Sequence, residues 1–191
     1  TSLATGLHSF TAQATDTAGN TSAPSATFNL TIDTTPPAQP VLSSIVDDVG
    51  NAATPVANGG LTNDAQPTLT GTAEAGATVK IFDNGVQIGS VTATGGAWSF
   101  TPTTPLANGQ HSLTFTATDA AGNASTPTTG YVINVDATAP AAPVISSVVD
   151  DVGSITGPIT GGNPTNDARP TLNGTAEANA TVRIYDGATL V

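Results

Sequence analysis

The chain has 191 residues, and its 3 Lys and Arg stand against 14 Asp and Glu, a formal charge of -11. So few basic groups cannot neutralise a run of phosphates, which argues against nucleic acid as a partner, and no apolar run approaches the roughly 18 residues of a membrane-spanning helix. With Cys 0, neither a disulfide nor a thiolate metal site is possible. The chain opens without Met or a signal-peptide pattern, so it is expected to be a piece or processed product of a longer protein.

Helical periodicity is absent, and short groups of Val, Ile, Leu and Phe among Thr, Gly and Pro predict strands joined by turns. Between the prolines at 36–37 and 140, seven strands are expected. The first covers about 40–47 with Val41 and Ile45, the second 67–73 with Leu69 and Ala73, the third 78–82 with Val79 and Ile81. Asp83-Asn84-Gly85 then predicts a tight hairpin, because Asn-Gly tolerates positive φ. The fourth strand covers 86–92 and the fifth 97–101 with Trp98 and Phe100. The sixth covers 110–118, where Leu113, Phe115 and Ala117 alternate with Ser112, Thr114 and Thr116. The seventh covers 130–135, with Tyr131, Ile133 and Val135 on one face. Seven short strands around one buried Trp read as an all-β, immunoglobulin-like sandwich without the disulfide of antibody domains.

An internal repeat organises the whole chain. Val46-Asp47-Asp48-Val49-Gly50 recurs as Val149-Asp150-Asp151-Val152-Gly153, an offset of 103 residues. Thr62-Asn63-Asp64-Ala65 recurs as Thr165-Asn166-Asp167-Ala168, and Ala121-Gly122-Asn123 repeats Ala18-Gly19-Asn20, at the same offset and without gaps. The expectation is therefore tandem seven-stranded sandwiches. Residues 1–35 are the last two strands of a first repeat, 36–138 a whole repeat, and 139–191 the first three strands of a third. Segments 34–37 and 138–140 are proline-stiffened linkers.

The acids follow the repeat without exception. All 14 form seven pairs at that offset: Asp16/Asp119, Asp33/Asp136, Asp47/Asp150, Asp48/Asp151, Asp64/Asp167, Glu74/Glu177 and Asp83/Asp186. The strand faces carry Thr and Ser instead. Threading the strands alternately up and down sends Asp47, Asp48, Asp64 and Asp136 to one end of the central repeat. There they would meet Glu177 of the next copy. Asp33, Glu74 and Asp119 would meet at the other end. Asp150, Asp151 and Asp167 repeat the first group in the third copy. Crowded carboxylates repel one another, and a hard divalent cation reverses that repulsion. Calcium accepts carboxylate and carbonyl oxygens in a tolerant geometry, whereas transition metals seek His or Cys. These eleven acids are thus the candidate calcium ligands, and the ion would stiffen each junction.

Turn formation competes with this reading, because Asp and Asn bond their own backbone. Asp83 and Asp186 are expected to be turn formers, as are Asn63 and Asn123. His8 and His111 begin a strand with no Ser or Cys partner in a recognisable catalytic context, so they are expected to pack or face solvent. Trp98 is expected in the core, and Lys80 and Arg183 on solvated strand faces.

The Asp-Thr-Thr-Pro-Pro and Asp-Ala-Thr-Ala-Pro linkers, Val-Asp-Asp-Val-Gly, Thr-Asn-Asp-Ala and Gly-Thr-Ala-Glu together resemble the bacterial Ig-like repeats of giant surface adhesins exported by type I secretion. The resemblance covers the whole chain. It implies a non-enzymatic stalk on the bacterial cell surface, with calcium at the junctions, that supports adhesion and biofilm formation. Its partners would be neighbouring repeats of its own chain. A second reading is a filament subunit in which the two partial repeats of different copies complete each other's sheets. A third, a sugar-binding module or glycosidase, needs exposed aromatics or two carboxylates about 5–5.5 Å apart in a cleft. Aromatic residues at 4% and acids confined to loop ends argue against it.

Overall fold

The computed structural model describes residues 2–50, 53–154 and 156–191. Two compact units divide the chain, Thr1–Ala137 and Thr138–Val191. The first carries β1 (Gly6–Phe10), β2 (Phe28–Ile32), β3 (Val41–Asp47), β4 (Thr54–Pro55), β5 (Gly60–Thr62) and β6 (Thr68–Thr72). It continues with β7 (Thr78–Asp83), β8 (Val86–Thr92), β9 (Ala97–Phe100), β10 (Gly109–Thr118) and β11 (Tyr131–Val135). The second carries β12 (Val144–Asp150), β13 (Gly157–Pro158), β14 (Thr171–Thr175), β15 (Tyr185–Asp186) and β16 (Thr189–Leu190).

The alternation in β10 decides the central architecture. Leu113, Phe115 and Ala117 turn to one face and are fully buried, while the intervening Ser and Thr turn outward. That dry face belongs to a five-stranded sheet ordered β5-β11-β10-β7-β8, to which Val79, Ile81, Ile133 and Val135 add. A four-stranded sheet ordered β4-β3-β6-β9 covers it with Ile45, Leu69 and Trp98. The Trp98 and Phe115 rings meet across the interface, centroids 5.4 Å apart and tilted by 40°. Burying each such side chain stabilises the sandwich by about 1.5–3 kcal/mol. The result is the immunoglobulin-like β-sandwich that the alternation predicts.

All seven strands expected between 40 and 135 form within two residues of their expected ends. Two further strands lie in the stretch between the first and second expected strands, where the sequence predicts a loop. β4 pairs Pro55 with Val46, and β5 runs parallel to β11, Ile133 opposite Gly60 and Val135 opposite Thr62. Each is only two or three residues long, and Pro55, Gly59 and Gly60 suppress any alternation. Together they move the chain from one sheet to the other and bring Thr62 beside the end of β11.

Strand length is set by the available partner. β10 is ten residues long because Gly109–Leu113 pair with β11 and Leu113–Thr118 with β7. Its first-repeat counterpart β1 pairs only with β2 and stops at Phe10. In the second unit β12 and β14 reproduce the β3–β6 ladder, including its irregularity: Ile145/Ser147 there, Leu42/Ser44 in the central repeat. The expected third strand there is shortened. Val182–Ile184 stay outside any strand, and only Tyr185–Asp186 pair, with β16. Their counterparts Val79–Ile81 are held by β10, and among the described residues of the second unit there is no such strand.

Candidate functional site

The acid-rich end of the central repeat is built on Thr62. β3 delivers Asp47, whose Oδ1 accepts a hydrogen bond from the Val49 amide (3.0 Å) and whose Oδ2 accepts one from Thr62 Oγ1 (2.7 Å). The same Thr62 oxygen accepts from the Asp64 amide (3.1 Å). Asp64, only 3% exposed, accepts from the Gln66 amide at Oδ1 (2.7 Å) and from the Asp48 amide at Oδ2 (3.3 Å). The Thr62 carbonyl accepts from the Asp136 amide (2.9 Å). The structure therefore brings Asp47, Asp48, Asp64 and Asp136 to one end, as threading predicts, with Asp48 and Asp136 exposed.

The second unit repeats this geometry. Thr165 Oγ1 donates to Asp150 Oδ2 (2.7 Å), and Asp167 Oδ2 accepts from the Asp151 amide (3.4 Å) while its Oδ1 accepts from the Arg169 amide (2.7 Å). Asp150 and Asp167 are both buried. The Asn166 amide lies 3.3 Å from the Val152 carbonyl and 3.3 Å from Asp150 Oδ2. With its nitrogen toward them, it donates to both.

At the other end Asp119 closes its own loop. Oδ1 accepts from the Ala121 (2.9 Å) and Asn123 (2.8 Å) amides, and Oδ2 from Asn123 Nδ2 (2.9 Å). The bonds from Asn123 hold the Asp119 carboxyl below its ordinary 3.8, as those from Asn20 hold Asp16. Asn123 Nδ2 also donates to the Asp33 carbonyl (3.1 Å), so the first linker is tied to this loop. Asp33 Oδ1 accepts from the Thr35 amide (3.0 Å). Glu74 and Glu177 lie exposed in turns, where their carbonyls accept from Ala77 and Ala180. Among the described residues, no three His, Cys, Asp or Glu side chains stand close enough together to hold a metal ion.

One expectation changes: Asp83 is expected to form the turn, while His111 is packed, as one of its two expected placements has it. The turn is made by Asn84 (φ 48) and Gly85 (φ 84), and Asp83 Oδ2 instead meets His111 Nδ1 at 2.7 Å. Residues 28 apart meet because β7 and β10 pair Asp83 with Leu113, a register invisible from spacing. Thr62 was also missed. Its sequence signal is only its recurrence as Thr165 beside the acids.

The two facing sheets, the Trp core and the loop acids define an immunoglobulin-like sandwich module. Residues 42–137 match the bacterial Ig-like domain family, and the chain belongs to it. Such domains are typically found on extracellular or surface proteins and are generally not enzymes. No curated protein matches the chain.

Proposed function

We propose that the chain is a structural stalk segment of a large adhesin on the bacterial cell surface, of the type I-secreted kind, in which calcium bound by the loop acids stiffens the repeats. Adhesion and biofilm formation would be the role of the whole protein, and this segment would carry no catalysis. The observation that supports the reading is the duplicated acid loop: Asp47, Thr62 and Asp64 have the same hydrogen bonds as Asp150, Thr165 and Asp167. A spacer needs the same end on each unit, whereas a catalytic site gains nothing from being copied.

The donor set suits a hard cation. Asp47 and Asp64 each keep lone pairs beyond the donors they accept, and Asp48 and Asp136 are exposed beside them. Calcium wants about six to eight oxygens, so these residues need carbonyls, water or a further acid-bearing loop to complete a site. Asp150, Asp151 and Asp167 would serve in the same way, and Asp33, Glu74, Asp119 and Glu177 are the further acids proposed to contribute. Thermal unfolding with small-angle scattering, first in EDTA and then in millimolar calcium, tests the reading. Calcium should raise the melting temperature and stiffen the particle. No change in either, or an equal response to magnesium, would remove the metal from it.

A second reading has its own observation. Leu172, Val182 and Ile184 are 39%, 50% and 42% exposed and line a cavity of 340 Å³ with Val144, Ile145 and Tyr185. Their central counterparts Leu69, Val79 and Ile81 are fully buried, in one core with Leu113 and Phe115 of β10 and Ile133 of β11. The β1–β2 hairpin of a second copy has the chemistry to cover this face, since Phe10 and Leu30 are the counterparts of Leu113 and Ile133. Sedimentation that shows ordered oligomers growing with concentration would favour a filament subunit. A monomer at all concentrations would leave the spacer.

A further inference from the structure

We propose that His111 is a protonation-dependent clamp, which fastens the β7–β8 hairpin tip and the 105–108 turn to the start of β10 and makes the central repeat tighter in acid than in alkali. His111 is 6% exposed. Its Nδ1 lies 2.7 Å from Asp83 Oδ2 and its Nε2 lies 2.7 Å from the Ala107 carbonyl oxygen. A carboxylate and a carbonyl only accept. A neutral imidazole has one N–H and would leave one of these short contacts acceptor against acceptor. The imidazolium satisfies both.

The surroundings reinforce the charge. Asp83 Oδ1 is buried without a hydrogen-bond partner, so the imidazolium is the group that balances this carboxylate. The other groups packed around the ring bring no further charge. Ile133 of β11 stands opposite His111, the hairpin tip is Asn84-Gly85, and the 105–108 turn is Pro-Leu-Ala-Asn. On β7, Lys80 pairs with Thr116, further along β10, and Asp136 lies beyond Asn108. Burial alone would push the His111 ring down, but the bonds to Ala107 and Asp83 outweigh it and hold the ring above 6.5.

The clamp reaches further than its three residues. Leu106 donates its amide to the Ala65 carbonyl and fills the core, and Asn108 Oδ1 accepts from the Ala137 amide at the exit of the repeat. Holding Ala107 therefore holds the turn that orders the chain exit. The elements recur with the repeat: His8 Nε2 lies 2.7 Å from the Ala4 carbonyl, the counterpart of Ala107, and Asp186 is the counterpart of Asp83. In a longer array the clamps would respond together.

Because the folded value lies above the unfolded one, the stabilisation is complete below about pH 6.5 and is lost as pH rises through the folded value. The test follows the ring resonances of the 191-residue chain by NMR, assigned with His8→Gln, together with melting of the chain, His111→Gln and Asp83→Asn from about pH 5.5 to about pH 9. His111 should titrate above 6.5 and move down in Asp83→Asn. The melting gap between the native chain and His111→Gln should be widest in acid and shrink in alkali. A His111 titration at or below 6.5, or a gap unchanged with pH, would overturn the clamp. If the variants fail to fold, the native titration decides alone.

Discussion

Gly71 stands directly opposite Trp98 in the β6–β9 ladder, and the indole lies where a Cβ on Gly71 would be. The Val41 carbonyl occupies the same space from β3. A methyl group there must displace either backbone or a ring packed against Phe115, and neither gives way cheaply. Gly71→Ala should therefore destabilise the central repeat by about 3 kcal/mol or more. Urea unfolding followed by Trp98 fluorescence measures it, since this is the one Trp of the chain. A loss within about 0.5 kcal/mol would mean that the sheets separate more easily than their packing implies.

Thr62→Val keeps the shape and removes the hydroxyl that Asp47 and the Asp64 amide share. Thr62 is buried, so both groups lose a partner that water replaces poorly. The expected cost is about 1–3 kcal/mol. Thr62→Ser retains the oxygen and should recover most of it. A Val variant as stable as the unaltered chain would show that the hydroxyl holds neither group in solution.

What sequence reveals here is periodicity, and what it hides is cross-strand register. Leu113, Phe115 and Ala117 announce their strand because a half-buried strand alternates. Asn84-Gly85 announces its hairpin because few residues accept positive φ. Threading the strands alternately up and down sends Asp47, Asp48, Asp64 and Asp136 to one end, because each turn reverses the chain. No pattern could show that Asp83 would face His111, or that the Asn84 side chain would accept from the Ser112 amide (3.1 Å), because these contacts depend on how β7 meets β10. β5 was hidden for another reason. Three residues with a glycine among them are strand only because β11 lies alongside.

Asp16 gives an acid-side prediction. Its carboxyl is held below 3.8 chiefly by the Asn20 side chain, which donates to Oδ2 at 2.8 Å. A depressed folded value means that the stabilisation is present above the unfolded value and disappears as pH falls through the folded one. Carboxyl NMR should therefore find Asp16 titrating below 3.8, and Asn20→Ala should shift it upward. An Asp16 titration unaffected by Asn20→Ala would show that the loop is not closed in solution.

Asp48 separates a turn residue from a ligand. Its amide serves the loop by donating to Asp64 Oδ2, while its exposed side chain lies outside the hydrogen bonds that shape the turn around Asp47 and Asp64. Asp48→Asn leaves the amide in place and removes one negative charge from a crowded end. In EDTA the melting temperature should stay level or rise slightly, because like charges are relieved. With calcium, the concentration giving half of the thermal gain should rise several-fold, since carboxylate count tunes affinity in such sites. Asp64→Asn should weaken the response as well and also destabilise the metal-free protein, because Asp64 is buried and both its oxygens shape the loop. The contrast between the two variants is the readout. Equal calcium midpoints in Asp48→Asn and the unaltered chain would take Asp48 out of the ligand set.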